Sequence, residues 1–209
     1  MLSARQLDVM RGRRTIVAGV DLCVDDGAAL LIHGANGSGK SSLIAALAGL
    51  LPPAAGDVSW RGVNVRDDPA RFRLDLAYLG HADGFNGELT VAENLRFAAL
   101  LGANAARMNE RMNETLDRAG VLPLMHTRLN RLSQGQRRRV ALARLVLTHK
   151  PLWLLDEPTE AIDEAGALWF AACIDDHLRE DGTLVATTHR PLPVDAARTR
   201  HLYLERSAA

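Results

Sequence analysis

Residues 34–41 read Gly-Ala-Asn-Gly-Ser-Gly-Lys-Ser, a loop of the form G-x-x-x-x-G-K-[ST]. Gly34, Gly37 and Gly39 allow the chain to wrap so that backbone N–H groups point inward at an anion, with Ala35, Asn36 and Ser38 between them. The helix starting near Lys40 adds the positive end of its dipole. In such a loop Lys40 reaches the β- and γ-phosphates of a nucleoside triphosphate and the Ser41 hydroxyl ligates magnesium, with Ser42 completing the nucleotide-binding set. The loop needs a buried strand before it and an apolar helix after it. AALLIH at 28–33 and SSLIAALAGLL at 41–51 supply both. A glycine-rich turn with a chance lysine would explain neither flank.

A second set of acids lies far downstream. Leu152-Trp153-Leu154-Leu155 is an apolar strand ending in Asp156 and Glu157. In a triphosphate site the first acid holds magnesium, directly or through water, and the next polarises the attacking water. A strand with acidic residues at its end is common, so this run gains its meaning from the phosphate loop. Parallel sheets place their sites at the carboxyl ends of their strands. Leu132-Ser133-Gln134-Gly135-Gln136 opens another helix and offers a serine hydroxyl, a glycine amide and a helix N-terminus to an anion. A capped amphipathic helix with Arg137–Arg139 as its solvated face accounts for the helix, but not for Ser-Gln-Gly-Gln standing just upstream of the acidic strand. Thr187-Thr188-His189 ends the next apolar strand and places an imidazole at the same sheet edge.

The elements around these residues alternate. Strands are predicted over 2–9, 15–24 and 28–33, then a hairpin and loop to Arg73, and a strand over 76–81. From Gly84 to Arg131 the pattern turns helical: Thr90 and Glu93 form a capping box opening a helix to Gly102, and 105–119 reads as a second helix. Ser133 caps a third, running to about Thr148. Strand 152–156, a helix over about 163–178, strand 183–189 and a last short strand at 200–205 follow. This alternation predicts a parallel α/β sheet.

Composition narrows the function classes. The 209 residues carry 25 basic and 25 acidic side chains, a formal net charge of zero, which argues against nucleic-acid binding. Cys23 and Cys173 stand far apart, in no metal spacing. No run approaches the roughly 20 apolar residues of a membrane span, and the N-terminal MLSARQLDVMRGRR lacks the apolar core of a signal peptide. Work at a membrane would go through a partner.

The four motifs, in this order and over nearly the whole chain, resemble those of the ATP-binding cassette (ABC) ATPases, with Gln134 in place of the first signature glycine. The resemblance implies an α/β P-loop NTPase of ABC type: a parallel core sheet, an N-terminal antiparallel β subdomain and an inserted helical subdomain. The ATP-binding core with its β lobe would span 1–83 and 132–209, and the helical subdomain about 84–131. It implies ATP and Mg2+ as ligands and a head-to-tail homodimer. There Ser133, Gln134, Gly135 and Gln136 of one copy close over the ATP on the partner's phosphate loop, and Asp163 lies in the loop crossing the interface. Glu157, His189 and Lys40 would be catalytic, with His189 sensing the γ-phosphate.

Within that family the sequence resembles the CcmA group, the ATPases of cytochrome c maturation (haem export) systems. The resemblance is carried by Tyr-Leu-Gly-His at 78–81, Glu-Leu-Thr-Val-Ala-Glu-Asn-Leu at 88–95, the signature helix 132–145, 152–158 with Ala-Ile-Asp at 161–163, and Thr-Thr-His-Arg-Pro-Leu at 187–192. It implies integral-membrane partners (CcmB, with CcmC and CcmD) contacting 84–131 and the groove near His81, a peripheral position on the cytoplasmic face of the inner membrane, and no haem site on this chain. Two positions depart from the general pattern. His81 replaces a glutamine that bridges magnesium and the membrane subunit, and either joins Ser41 and Asp156 at magnesium or is a surface residue. Arg11 stands where an aromatic residue stacks on adenine, and either stacks on the purine or is a solvated turn charge. An ATPase of another exporter, or a soluble ABC protein of repair or translation, shares the catalytic residues.

Overall fold

The computed structural model describes residues 1–101, 105–189, 192 and 194–205. Gly102 at the end of the expected helix, and Arg190 and Pro191 of the Thr-Thr-His-Arg-Pro run, lie outside them. β1 (Leu2–Arg11) and β2 (Arg14–Val24) form an antiparallel hairpin. β3 (Ala29–His33) runs into the glycine-rich loop and α1 (Lys40–Leu47) leaves it. β4 (Ala55–Trp60) returns alongside β1, with the two-residue β5 (Val63–Asn64) beside it. α2 (Pro69–Asp75) leads into β6 (Leu76–Leu79), followed by α3 (Val91–Leu101) and α4 (Ala105–Arg118). Then come α5 (Gln134–Thr148), β7 (Leu152–Asp156), α6 (Glu164–Arg179), β8 (Thr183–Thr187) and β9 (Thr199–Tyr203).

The strands make two sheets. One is antiparallel, in the order β2-β1-β4-β5; the other is parallel, in the order β6-β7-β8-β3-β9. Side chains alternate across the parallel sheet as the pleat requires. Leu30, Ile32, Leu152, Leu154 and Val185 pack on α1 and on Leu2, Leu7 and Val9 of β1. Leu31, Trp153, Leu155 and Leu184 face the opposite way, towards Leu142 of α5 and Phe170 and Ile174 of α6. Burying such a leucine contributes about 1.5–3 kcal/mol. The strand ends that carry the functional residues are therefore anchored in the two largest cores. A third core, with Val91, Leu95, Leu116, Leu129, Val140 and Leu147, joins α3 and α4 to α5. α5 thus belongs to two cores at once.

Capping explains the element starts. Thr90 Oγ1 accepts from the Glu93 amide at 3.2 Å while the Glu93 carboxylate accepts from the Thr90 amide at 2.8 Å. Ser133 and Gln136 make the same reciprocal pair ahead of α5. The expected loop between the small hairpin and β6 is in part a helix. α2 is capped by Asp68, whose carboxylate accepts from the Arg71 amide at 3.0 Å, with Pro69 in its first turn. That Asp-Pro start is a helix signal that the polar surroundings obscured. Among the described residues no helix is long and apolar enough to cross a membrane. Both cysteines are free thiols.

Candidate functional site

The loop 34–39 connects the buried end of β3 to α1. Gly39 sits at φ 96°, and a Cβ there would lie 2.7 Å from Ile16 and 2.8 Å from Val17. Only glycine lets the loop press this closely against β2. The Lys40 side chain is buried, and its ammonium donates to the Gly34 carbonyl at 2.8 Å and the Ala35 carbonyl at 3.2 Å. The Ser38 hydroxyl is buried and makes no protein hydrogen bond. Asn36, Gly37 and residues 39–42 line an open cleft of about 390 Å³. Glu157 also lines it, as do Arg11 and Ile16 of the antiparallel sheet.

Glu157 reaches this cleft because β7 lies two strands from β3 and stops at Asp156. The turn after β7 is held by three connections. Thr187 at the end of β8 donates its hydroxyl to Asp156 Oδ1 at 2.7 Å, and Thr187 Oγ1 itself accepts the Glu157 N–H at 2.9 Å. Glu157 adopts φ 48°, in the left-handed region, which costs a non-glycine residue on the order of 1 kcal/mol. His189 Nε2 lies 3.0 Å from Glu157 Oε1, both side chains being partly exposed. Arg138 of α5 is the third connection. It is only 6% exposed, and it donates to the carbonyls of Asp156 (2.6 Å), Glu157 (2.7 Å) and Pro158 (3.1 Å). Burial pulls its pKa down, against the pull of the neighbouring Asp83 carboxylate. The Tyr78 phenol on β6 is pushed up by burial and then by the charge of Asp156.

The phosphate loop, Glu157 and His189 therefore converge on one region, with buried Asp156 hydrogen-bonded beside it. The other expected residues do not line the cleft. None of Ser133, Gln134, Gly135 and Gln136 does so. Ser133 caps α5, and Gly135 packs so near the Ala161 carbonyl that a Cβ would lie 2.6 Å from it. Asp163 caps α6 by accepting from the Gly166 amide at 2.9 Å and pairs with Arg139. These contacts, the amide first and the guanidinium second, lower its pKa. His81 is exposed just past β6 and does not line the cleft. Sequence reasoning missed Arg138 and Thr187. Thr187 was part of a motif whose histidine drew the attention, and Arg138 stood in a basic triplet that read as a solvated face.

The profile of the ABC transporter family matches residues 17–160, a span that contains the phosphate loop, the signature and both carboxylates. The chain belongs to the ABC transporter family. Among curated members of this ABC family, the Paraburkholderia xenovorans cytochrome c biogenesis ATP-binding export protein CcmA is 54% identical, over 100% of this chain and 99% of its own length. The proteins of the same name from Dechloromonas aromatica and Pseudomonas aeruginosa are 42% and 37% identical, covering 98% and 95% of this chain and 100% and 98% of their own lengths. Among solved ABC structures, the dimeric post-hydrolysis state of the ATP-binding cassette MJ0796, bound to ADP and Pi, aligns with a TM-score of 0.85 at 26% identity, over 98% of this chain and 94% of that one.

The site's own chemistry fits the ligands that an ABC cassette takes. A buried serine hydroxyl without a protein partner and an ammonium resting on neutral carbonyls suit a bound oxyanion. Ser41 and Asp156 are the oxygen donors suited to magnesium, which is typically held by one or two carboxylates together with substrate phosphates.

Proposed function

We propose that this chain is the ATP-binding and ATP-hydrolysing subunit of an ABC complex for cytochrome c biogenesis, driving haem export or release of a haem-loaded chaperone through membrane subunits. The observation that carries the reading is the meeting of the phosphate loop and Glu157 on one cleft, in a chain similar from end to end to cytochrome c biogenesis export proteins. Residues 34–42 hold the triphosphate, and Lys40 pairs with its outer phosphates. Ser41 and Asp156 would hold magnesium, which would supply positive charge to those phosphates. Glu157 takes a proton from the attacking water. His189 senses the γ-phosphate. Ser133, Gln134, Gly135 and Gln136 complete the site of a second copy in an ATP-bound homodimer, with Asp163 at the crossing. That they do not line their own chain's cleft supports this reading.

Residues 1–83 and 132–209 act as the ATP-binding core with its β lobe, and about 84–131 as the helical subdomain facing the membrane subunits, CcmB with CcmC and CcmD. A groove of about 330 Å³ between β6, α3 and α5, with Leu74 exposed at its rim and Phe97 exposed on α3, suits an apolar partner segment. The chain would then sit peripherally on the cytoplasmic face of the inner membrane. Co-purification from native membranes tests the assignment: cytochrome c biogenesis subunits are expected, and the subunits of a different exporter would overturn it.

Arg11 at the cleft and His81 outside it carry their own expectations. His81→Ala is expected to lower ATPase activity in the assembled complex by about tenfold, the lower end for residues that act through a metal's ligands. Nucleotide affinity should hold, and His81→Gln should retain more activity than alanine. Equal activity of all three forms would make His81 a surface residue. Arg11→Ala is expected to weaken ATP binding about 2- to 5-fold, the worth of a guanidinium stacked on a π-system. Nucleotide titration checks this, and an unchanged affinity would leave Arg11 a solvated charge.

A further inference from the structure

Arg138 uses its whole hydrogen-bonding capacity on backbone and loop. A guanidinium has five N–H donors in a rigid planar fork. Here Nε donates to the Pro158 carbonyl, one terminal nitrogen to the Gly80 carbonyl (3.0 Å) and to Asp83 Oδ1 (3.5 Å), and the other to the Asp156 and Glu157 carbonyls. Three separate segments meet on one side chain: the first turns of α5, the turn that carries Glu157, and the loop that leaves β6. Arg144, six residues further along α5, donates to the Asp83 and Gly84 carbonyls at 2.6 and 3.4 Å and fastens the same loop a second time.

Glu157 needs such an anchor. Its backbone is in the left-handed region, and its carboxylate is partly exposed, with His189 the side chain paired to it. An unanchored turn would relax towards the commoner backbone conformation and swing the carboxylate away from the cleft. Thr187 holds the Glu157 amide, and Arg138 is the group that gathers the carbonyls of 156, 157 and 158.

We infer that Arg138 is the positioning residue for Glu157: it sets the carboxylate against the nucleotide cleft and ties that position to the signature helix and to the loop after β6. The inference rests on the reading of Glu157 as the group that activates water. It assigns a task to the one arginine of the triplet that is buried. It also gives a physical path by which a shift of the 80–84 loop, which follows Leu79 of the groove suited to a membrane partner and is held by Arg144 of the same groove, reaches the hydrolytic carboxylate without crossing the phosphate loop.

The test is steady-state ATP hydrolysis by the purified chain, together with its membrane subunits where these co-purify. Arg138→Ala and Arg138→Lys are each expected to lower kcat by about 30- to 100-fold, the loss that accompanies a misplacement of about 1 Å. The KM for ATP should stay within about 2-fold, because the phosphate loop is untouched. Lysine keeps the charge but offers three donors from one nitrogen and cannot span three segments. Millimolar guanidinium should restore part of kcat in Arg138→Ala, where the fork's place is empty, and none in Arg138→Lys, where it is filled. A brace that merely stabilised the fold would show no such difference. Wild-type kcat in either folded variant overturns the inference, as does a loss that falls equally on nucleotide affinity and does not respond to guanidinium. If Arg138→Ala does not fold, the kcat and KM of Arg138→Lys decide. Glu157→Gln in the same assay separates the two levels. Full activity of that variant removes the role of Glu157 itself. An inactive Glu157→Gln beside a fully active Arg138→Lys removes only the role given to Arg138.

Discussion

Glu157→Gln is expected to cut ATP hydrolysis about 10²- to 10⁴-fold, the usual contribution of a positioned general base, while leaving nucleotide binding intact. Glutamine has nearly the same shape but cannot accept the proton of the attacking water. It also removes a negative charge that faces the triphosphate across the cleft, so the nucleotide-bound state gains stability as turnover is lost. Backbone geometry should survive, because the contacts to the 157 amide and carbonyl come from Thr187 and Arg138 and do not involve the side chain. Gel filtration with ATP and magnesium should show an accumulated dimer that wild type does not hold, and phosphate release should fall in parallel. A variant that hydrolyses ATP at the wild-type rate would take Glu157 out of the mechanism.

The second large effect concerns two copies. Lys40→Ala removes the ammonium beside the phosphate loop, and Ser133→Arg fills the signature with a long cation. Each variant alone is expected to be inactive. Mixed, they can form a heterodimer with one intact site, built from the unchanged phosphate loop of the Ser133→Arg chain and the unchanged signature of the Lys40→Ala chain. Random pairing of equal amounts should return roughly a quarter of the wild-type rate per chain, from one good site in half of the twofold assemblies. Loss of the Ser133 cap costs about 1 kcal/mol, so α5 should remain folded, and circular dichroism of each variant checks this. Proven heterodimers without recovered hydrolysis would rule out the head-to-tail arrangement.

How far the sequence could be read depended on whether a residue's task was local. The phosphate loop was legible because its glycines, its lysine and both flanking elements are contiguous. The capping box at Thr90 and the cap at Ser133 were legible for the same reason, each being closed within four residues. α2 was missed where an Asp-Pro start stood among polar residues that suggested a loop. Arg138 was missed because its partners lie 18 to 58 residues away. A signal did exist. Position 138 shares a helical stripe with Ala141, Leu142 and Leu145, all of which pack in the core between α5, α6 and the sheet. A charged residue on a core stripe must find acceptors inside the protein, and carbonyls freed at strand ends are the natural supply. His81 illustrates the converse. Its neighbours in sequence place it at the end of β6, but the direction taken by the chain after Gly80 leaves it exposed, and strand pattern alone does not encode that direction.

The resting place of the Lys40 ammonium has a consequence for the energetics of nucleotide arrival. Because the loop's own carbonyls already hold it, the charge has given up most of its water during folding. An incoming phosphate therefore exchanges one set of oxygen acceptors for a better-charged set, instead of stripping a hydrated cation at the moment of encounter. Less solvent has to reorganise, and the arriving anion meets a donor whose orientation is already confined, which is how preorganisation converts stability of the empty site into affinity for its occupant.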